Sequence, residues 1–588
     1  MKVSVEHNTE PAASAAPAAP AADPTTPDLT FLVKDFAAAL GSFFGTIDRI
    51  TADNPVAIGR LQELAGKARG GPLTAEETQE LQTLKAQAIR QGRAVGAAIG
   101  FFLKFKPYPA LEEIRRKTKV FQPPFGPILV VDGAAVRDVF ERDQEFTVEP
   151  YGVEMMKVMT PSHNGGFSTF VLSTDDNALY EPDKRLLSSV CTRQDANTIT
   201  ELIHQDCMRR VSAAVAAARA AGTSTLDVVQ TVARYVPVTL GHRYLGVPVA
   251  AQPGSFELTP DMLTYYGTPI GGQIETALKK EDGIIPDEHQ MYVWIKAAFQ
   301  HFFNNVQKDP AVQAAGLRSC RQVLAYLLRE IGIQRERILA GQPVDDTMLT
   351  RLVHLQLGRP TPNVTPPADL DPRLVTDLRI AENVMSTIVG AIAGQEEATC
   401  RVIDSLIRLQ EGEYKTAGEG GCRYGSFAEA TQLAVNVLNG TAVQESRAGL
   451  YKYFQEALRQ QPQGEVLLRK CAKDGARIAD SRPIAAGTLV FVSHGSAMKD
   501  IPEPDAFILD RPREHYLHYG WQRHTCLGQY VSPVVIVESM IALLGLQNLR
   551  RPEPKAGEPA FPFERRFGRV QFDDQNLYTT TFSLAFTS

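Results

Sequence analysis

Hydrophobic and polar positions follow a helical spacing over most of the chain. Residues 28–103 are predicted to be almost wholly helical, and within them Thr74 and Glu77 form the pattern of a capping box at a helix start. From about 195 to 460 helical patterns dominate again, broken by Pro/Gly-rich segments such as 357–372. The hydrophobic pattern therefore predicts a chain that is mainly helical.

Strand patterns occur near both ends of this helical region. Residues 126–140 combine a short β-rich run, a predicted turn at Asp132–Gly133 and then a helix. Further strands are predicted within 487–493 and 577–588. A mostly helical chain with small sheets near its ends is typical of the α+β class, which is the predicted fold class.

The composition changes along the chain and predicts three parts. Residues 1–27 are rich in Ala and Pro and are predicted to be a disordered leader. Residues 28–100 are predicted to be an N-terminal helical extension, and residues 101–588 one large domain. The apolar run 94–105 is too short to span a membrane, so we expect a buried helix there, with a monotopic membrane contact as the alternative.

Composition and charge narrow the class of protein. The 588 residues are 44% hydrophobic, which is enough for a substantial core, and the net charge of -6 without a basic block argues against nucleic acid as a partner. The seven cysteines are scattered and odd in number, so no disulfide framework is expected. The N-terminus also lacks a secretory signal pattern. These features indicate a reducing compartment and predict a cytoplasmic protein with no spanning segment.

A single cysteine, Cys526, lies in the segment YGWQRHTCLG between His524 and Gly528, just before an apolar run. A core position, a nucleophile and a metal ligand are the alternatives for this thiol. A thiol at a helix start has its thiolate favoured by backbone N–H groups, and the glycines let the backbone approach a flat cofactor closely.

Two further patterns lie upstream of this cysteine. Glu456 and Arg459 are three positions apart on one helix face, where they form either a surface ion pair or a structural pair. Residues 388–406 form an apolar helix in which Ala393 and Gly394 precede an acidic pair. Small residues there fit a large ligand lying against the helix, or a tight helix crossing.

From about residue 101 to the end, the order of these features resembles the cytochrome P-450 family. The resemblance implies a mostly helical, triangular fold with small β-sheets, which holds heme b (iron protoporphyrin IX). It implies that Cys526 is the thiolate ligand of the iron, where a soft, electron-rich ligand favours O–O cleavage. Glu456, Arg459 and Arg511 would form a structural cluster behind the haem, and Arg469 would contact a propionate.

The resemblance also implies the rest of the cofactor site. Near residue 180 the family commonly has His-x-x-x-Arg in contact with the propionates, and this chain offers YEPDK followed by arginine. The residues expected to bind the cofactor are Cys526, Arg469, Tyr180, Lys184, Arg185, Tyr519, Gly520, His524, Gly528, Ala393 and Gly394.

The chain departs from the family pattern at several positions. Gln522 stands four positions before the cysteine, where glycine is usual, and Pro533 is expected to interrupt the helix that follows. The usual acid-then-threonine of the long helix is replaced by Glu396 and Glu397, and Thr399 comes two positions later. These last three are the expected catalytic residues. Glu397 either points to the distal side of the haem or turns away to pair with a basic side chain.

The expected function is oxidation of a hydrophobic small molecule, most simply by a monooxygenase that uses O2. No flavin or iron–sulfur module is visible, so electrons would come from a separate redox partner protein. The basic residues Lys470, Lys473, Arg513 and Arg523 are candidates for its docking patch, with a solvated surface as the alternative. One alternative is a peroxygenase or fatty-acid hydroperoxide isomerase that needs no electron donor. Another is a non-catalytic haem-binding protein.

Overall fold

The computed structural model describes residues 41–105, 107–156, 174–250, 285–305, 310–418, 421–552, 579 and 581–587. The predicted leader 1–27 and the first part of the predicted extension, 28–40, lie outside the described residues. Helices dominate what is described, and the predicted mostly helical α+β class is confirmed.

The helices, in chain order, are α1 (Phe43–Asp53), α2 (Ile58–Gly70), α3 (Ala75–Phe105), α4 (Pro107–Arg115), α5 (Gly133–Glu141), α6 (Glu149–Met156), α7 (Asn177–Val190), α8 (Asp195–Ala220), α9 (Val236–Leu240), α10 (Glu288–Phe299), α11 (Pro310–Leu339), α12 (Met348–Gln356), α13 (Asp377–Gln410), α14 (Phe427–Leu438), α15 (Val443–Gln460), α16 (His494–Ala497) and α17 (Ser532–Leu544). The strands are β1 (Val120–Phe121), β2 (Ile128–Val130), β3 (Phe146–Thr147), β4 (Thr225–Asp227), β5 (Leu467–Cys471), β6 (Leu489–Val492), β7 (Gln547–Arg550) and β8 (Ser583–Thr587). Short π-helical turns occupy Val229–Ala233, Gly241–Leu245 and Gln300–Asn304, and 3₁₀ turns occupy Pro372–Leu374, Arg513–His515, Gln522–His524 and Leu527–Gln529.

The strands form two small sheets. The first has the order β1-β2-β6-β5-β3, with β2 parallel to β6 and the other neighbours antiparallel. In its β5–β6 pair Arg469 lies opposite Val490. The second sheet has the order β4-β8-β7, so the C-terminal strand β8 lies between β4 and β7. The strands predicted within 487–493 and 577–588 are thus present as β6 and β8.

Helix α13 is the centre of the core. Its residues Ile380, Val384, Ile388, Ile392 and Leu406 are at most 1% exposed. It packs against α10, α11, α15 and α17. A helix that is buried around its circumference must satisfy its polar side chains internally, and α13 carries several buried acids in its second half.

The N-terminal helices are continuous with this core. The predicted boundary between residues 100 and 101 falls inside α3, which runs without a break from Ala75 to Phe105. Ala94, Ala98 and Ile99 are 0% exposed in the main cluster, so the apolar run is a buried helix as expected. Over the described residues, no helix is both long enough and apolar enough to cross a membrane.

Two local predictions are corrected at helix starts. The expected turn at Asp132–Gly133 is a helix N-terminus, because the Asp132 carboxylate accepts a hydrogen bond from the Ala135 N–H at 2.9 Å and α5 begins at Gly133. Pro533 was expected to interrupt a helix, but α17 begins at Ser532 and places the proline in its first turn. The missing N–H of proline costs nothing there, since first-turn donors have no partner inside the helix.

The predicted pair on α15 is buried and bidentate. Arg459 donates from Nε and Nη2 to the two Glu456 oxygens at 2.9 and 2.7 Å, and both side chains are 0% exposed. Arg511 adds a contact to Glu456 at 3.3 Å, as the family resemblance implied. Arg459 also donates to the carbonyls of Met498 and Ala506, at 3.1 and 3.0 Å. The pair therefore fixes the segment that leads from β6 towards the cysteine loop.

Lys499 lies next to this pair, and its protonation provides a test of the fold. Burial, and then the positive charge of Arg459, lower the pKa of Lys499 to about 7. Between about pH 7 and pH 10 the unfolded chain therefore holds a proton at this amine that the folded chain lacks, so raising the pH stabilises the fold. We expect the parent to gain stability relative to Lys499→Met between pH 7 and pH 9, by up to about 1 kcal/mol per pH unit.

Urea unfolding of both proteins at the two pH values measures this difference. Lys473→Met, which removes an exposed lysine, serves as the matched control and should keep a constant offset from the parent. A constant offset for Lys499→Met as well would contradict the assignment.

Candidate functional site: a cysteine loop beneath the central helix

The cysteine loop is closed by backbone and sulfur hydrogen bonds. The Cys526 N–H donates to the Tyr519 carbonyl at 2.8 Å, and the Gly528 N–H donates to the Cys526 sulfur at 3.3 Å. Burial raises the pKa of the Cys526 thiol, and the Gly528 N–H opposes that shift. A thiolate here therefore fits best with a bound cation such as a metal ion, for which the loop holds the sulfur in a fixed position.

Two positions in this loop have left-handed backbone. Gly520 has a φ of 76° and Gln522 a φ of 54°. The loop thus keeps at position 522 the conformation that suits glycine, although the residue there is glutamine. A side chain in this region costs about 1–2 kcal/mol because its Cβ approaches the following carbonyl oxygen. The departure from the family pattern is one of residue type and not of backbone geometry.

Four of the predicted cofactor-binding residues lie together beside the loop. Tyr180 and Lys184 on α7 both donate to the Arg523 carbonyl, and the ring centroids of Tyr180 and His524 are 5.0 Å apart. The His524 Nε2 lies 2.7 Å from an Asp175 carboxylate oxygen. Burial lowers the pKa of this imidazole, the hydrogen bond to Asp175 opposes that shift, and the positive charge of Arg469 lowers the pKa further. The fold therefore gathers Tyr180, Lys184, Arg469 and His524, which come from three distant parts of the sequence.

Arg469 tests whether this group fits a haem. Its side chain is 4% exposed, and its one recorded hydrogen bond is donated to the Leu468 carbonyl at 2.9 Å. Among the described residues it has no ion pair. Burial lowers the pKa of its guanidinium, and charge interactions with Tyr151, Asp175 and Asp143 oppose that shift without forming an ion pair. A buried cation with no directly paired anion is costly, so an anionic group is expected beside it. A haem propionate satisfies that requirement, and the cysteine sulfur supplies a suitable axial ligand.

Arg185 is not part of this group. Its guanidinium pairs with Asp369 at 2.8 Å, and the side chain is 53% exposed. The residue follows Lys184 on α7, and successive helical residues point about 100° apart, which turns Arg185 towards solvent. The structure does not support a propionate contact from Arg185.

On α13, the small residues permit a close approach. A Cβ added to Gly394 would lie 2.8 Å from the Gln463 side-chain nitrogen, and Ala393 is 0% exposed. The contact comes from the flexible end of an amide side chain, which can move. The small residues therefore leave space beside the Gln463 side chain. This space is consistent with a surface for a ligand and with a tight helix crossing.

Glu396 is held by three groups on neighbouring elements. The Tyr292 hydroxyl donates to its carboxylate at 2.9 Å, and Lys296 and Arg234 each lie at 3.3 Å. The carboxylate is 1% exposed. These contacts tie the carboxylate to α10 and to the segment that follows the Val229–Ala233 turn.

Glu397 faces a different part of the molecule. Its Oε1 accepts a hydrogen bond from Arg401 at 2.6 Å, and its Oε2 accepts from the Thr579 hydroxyl at 3.2 Å. Arg401 also lies 3.6 Å from Glu465, on the segment that precedes β5. Of the two orientations considered for Glu397, pairing with a basic side chain is the one observed. The adjoining Thr399 hydroxyl is buried and has no hydrogen-bond partner among the described residues.

Sequence reasoning missed three members of this group: Arg401, Glu465 and Thr579. The i, i+4 spacing of Glu397 and Arg401 is a helix-pair signal that could have indicated the first. No local pattern indicates the other two, because they reach the helix only through the tertiary fold.

The predicted docking patch is only partly available. Lys470 pairs with Glu149 at 2.5 Å and Arg523 with Asp143 at 2.9 Å. Lys473 and Arg513 are exposed, and no ion pair is recorded for either within the described part of the chain. The available positive charge next to the loop is therefore smaller than the sequence indicated.

The strained position 522 provides a direct test of the loop geometry. We expect Gln522→Gly to stabilise the protein by about 0.5–1 kcal/mol, because relief of left-handed strain exceeds the entropy cost of glycine. Denaturant unfolding measures the change. Gln529→Gly, at a position without positive φ, is the matched control and should destabilise the protein. Destabilisation by both substitutions would show that residue 522 is not left-handed.

Comparison with curated proteins gives short matches. The chain is 33% identical over 117 residues to linoleate diol synthase of Gaeumannomyces graminis, covering 19% of this chain and 10% of that protein. It is 38% identical over 79 residues to the bifunctional dioxygenase–epoxy alcohol synthase of Pyricularia oryzae, covering 13% of this chain and 7% of that protein. The matched segments thus span a tenth or less of these relatives. No protein-family model matches the chain.

Comparison with solved structures covers most of the chain. A cytochrome P-450 from Chondromyces apiculatus matches with a TM-score of 0.53 and 16% identity, over 83% of this chain and 96% of that one. The bacillaene polyketide synthase cytochrome P-450 of Bacillus subtilis matches with a TM-score of 0.55 and 13% identity, over 83% and 98%. The chain, which carries the cysteine loop and the buried Glu456–Arg459 pair, therefore has the cytochrome P-450 fold.

Proposed function

We propose that the protein is a haem-thiolate oxidoreductase that oxidises a hydrophobic small molecule. The observation that carries this proposal is the loop that holds the Cys526 sulfur against the Gly528 N–H, below a helix with small residues. Cys526 would bind the iron of heme b, and Arg469 would bind a propionate. When bound, a haem with a thiolate ligand supplies the activation of dioxygen or peroxide. We also propose a cytoplasmic location, since all seven cysteines are free thiols.

In the simplest form of this proposal the protein is a monooxygenase that receives electrons from a separate redox partner. Glu396 would relay protons towards the oxidant, with Tyr292 and Lys296 as hydrogen-bond donors to its carboxylate. The Thr399 hydroxyl has no hydrogen-bond partner among the described residues and would orient water or substrate. Exposed Lys473 and Arg513 would contribute to docking of the partner.

The role of Cys526 gives the first test. We expect Cys526→Ala to remove the thiolate-type Soret band of the reduced carbon monoxide complex, because no sulfur ligand would remain on the iron. Cys471→Ala is the matched control, since that thiol donates to the Lys473 carbonyl at 3.1 Å and lies in β5. An unchanged band in Cys526→Ala would contradict the ligand assignment.

A second candidate is turnover driven by a peroxide, including isomerisation of a fatty-acid hydroperoxide without an electron donor. Glu397 occupies the position of the usual alcohol, and this observation favours the second candidate. The names of the matched relatives, a linoleate diol synthase and a dioxygenase–epoxy alcohol synthase, point to fatty-acid chemistry. In the structure the Glu397 carboxylate is paired with Arg401 and Thr579, so a shuttle requires this side chain to leave those partners and turn to the hydroperoxide, where it would take the proton from one oxygen and return it to the other.

Glu397→Gln distinguishes the two routes. With a proton shuttle at Glu397, we expect peroxide-driven turnover to fall about 10²-fold or more, while reductase-driven turnover changes little. Both assays use the purified full-length protein with a fatty acid or its hydroperoxide. Equal activities of variant and parent in both assays would leave Glu397 a structural residue and favour the monooxygenase.

Because the amide leaves Arg401 with a weaker partner, Glu397→Gln can also destabilise the core. The double variant Glu397→Gln/Arg401→Met removes both charges of the pair and serves as the second test. The same selective loss is expected from it, and its retention of peroxide-driven turnover would contradict the shuttle.

A further inference from the structure

We infer that Tyr292 and Tyr235 carry single electrons from the protein surface to the haem after a peroxide has oxidised it. The two residues are called the tyrosine relay. Such a relay lets a reductant in solution discharge an oxidised cofactor when no substrate reacts, and it thereby protects the site from oxidation. The inference rests on the haem chemistry proposed above, and it adds a function that the oxidation of a substrate does not require.

Helix α10 supplies most of the side chains around the relay. His289, Tyr292 and Lys296 follow one another at intervals of three and four residues, which places them on one face of the helix. Tyr235 comes from the segment between the Val229–Ala233 turn and α9. The ring centroids of Tyr235 and Tyr292 are 6.3 Å apart, within the range of about 4.5–7 Å that is typical of aromatic pairs. The fold therefore brings the two phenols next to each other.

The inner tyrosine is bonded to the central helix. The Tyr292 hydroxyl donates to the Glu396 carboxylate at 2.9 Å, and Tyr292 is 3% exposed. Burial, and then the negative charge of Glu396, raise the pKa of Tyr292, so this phenol keeps its proton until it is oxidised. The inner end of the relay is thus one hydrogen bond from the carboxylate that is proposed to serve the oxidant.

The outer tyrosine has a base of its own. The Tyr235 hydroxyl lies 3.1 Å from the His289 Nδ1, and it donates to this nitrogen in the tautomer whose Nδ1 carries no proton. Tyr235 is half-buried and His289 is exposed, so this pair lies at the surface. Each tyrosine of the relay therefore has a neighbouring group that can accept its phenolic proton.

The charges around Tyr292 require that its electron and its proton leave together. The Arg234 guanidinium carbon lies 4.5 Å from the centroid of the Tyr292 ring, and the Lys296 Nζ lies 5.0 Å from it. Two cations over one ring oppose a positive charge on that ring, because like charges repel strongly in a buried site. Transfer of the proton to Glu396 leaves a neutral radical and avoids this repulsion.

The proposed transfer restores every protein group. A peroxide oxidises the haem, and Tyr292 then gives one electron to the haem and its phenolic proton to Glu396. Tyr235 gives one electron to the Tyr292 radical and its own phenolic proton to His289, while Glu396 returns its proton to Tyr292. A reductant in solution, such as ascorbate, gives one electron to Tyr235, which recovers its proton from His289. In total, one electron has moved from ascorbate to the haem.

An ordinary structural role is the competing explanation for Tyr292, because its hydroxyl also helps to satisfy a buried carboxylate. Tyr235 separates the two explanations. Within the described residues, the recorded hydrogen bonds of Glu396 come from Arg234, Tyr292 and Lys296. Tyr235→Phe therefore leaves these contacts in place, keeps the ring, and removes only the phenol that the relay needs.

Rapid freeze-quench EPR of the full-length ferric protein mixed with hydrogen peroxide tests the relay. We expect a tyrosyl radical in the parent and loss of that signal in Tyr292→Phe. In Tyr235→Phe the radical should form at Tyr292, and ascorbate should no longer shorten its lifetime. Tyr244→Phe is the matched control, because this buried tyrosine also donates to a carboxylate, Asp195, at 2.9 Å but lies outside the relay. It should keep the parent signal.

Bleaching of the haem absorbance by excess hydrogen peroxide gives a second readout. Ascorbate should slow the bleaching of the parent and of Tyr244→Phe, but not that of Tyr235→Phe. If Tyr292→Phe fails to fold, the comparison with Tyr235→Phe alone decides. An unchanged radical in Tyr292→Phe, or equal protection of Tyr235→Phe and the parent by ascorbate, would overturn the inference. The absence of a tyrosyl radical from a parent that binds haem would also overturn it, whereas a parent that binds no haem contradicts the proposed function itself.

Discussion

The buried ion pair between Glu456 and Arg459 is the interaction on which the rest of the site depends. Both side chains are 0% exposed, and two charges removed from water must be satisfied almost completely by protein groups. The partners come from the segment between β6 and the cysteine loop, namely the carbonyls of Met498 and Ala506 and the Arg511 guanidinium. This segment must pack against α15 before the Glu456–Arg459 ion pair is stabilised.

This requirement links global folding to the position of one sulfur. The segment that satisfies the pair continues through the Arg513–His515 turn into the loop that ends at Cys526. Removing one partner of a buried pair typically costs about 3–5 kcal/mol, because the other charge is left without compensation. Loss of either charge should therefore disturb the cysteine loop, although neither residue contacts it in the described structure.

The central helix divides its charges between two surroundings. Glu396 and Glu397 are adjacent, so their side chains point about 100° apart. Glu396 contacts Arg234 and Lys296, two cations that precede α13 in the sequence. Glu397 contacts Arg401 on the same helix and Thr579, which lies far beyond α13 in the sequence. The two adjacent carboxylates thus have different surroundings, and that of Glu397 is engaged in an ion pair with Arg401.

Patterns within short stretches of sequence predicted the structural features that depend on local geometry. The three-residue spacing of Glu456 and Arg459, the cysteine loop and the late strands are all short-range patterns, and the structure contains them. Contacts across the sequence were not predictable, since Glu397 and Thr579 are 182 positions apart. Arg185 was assigned by proximity to Lys184, although a one-residue step on a helix changes the direction of the side chain. The proposed boundary after residue 100 lies inside the continuous helix α3, and the amphipathic pattern of a sequence does not show where such a helix joins a core.

X-ray absorption at the iron edge of the purified ferric protein tests the central claim most directly, since it reports the ligands of the metal independently of turnover. We expect one sulfur atom bound to the iron together with the four nitrogens of the porphyrin. A first coordination sphere made only of nitrogen and oxygen atoms would contradict the assignment of Cys526, and with it the proposed haem-thiolate chemistry.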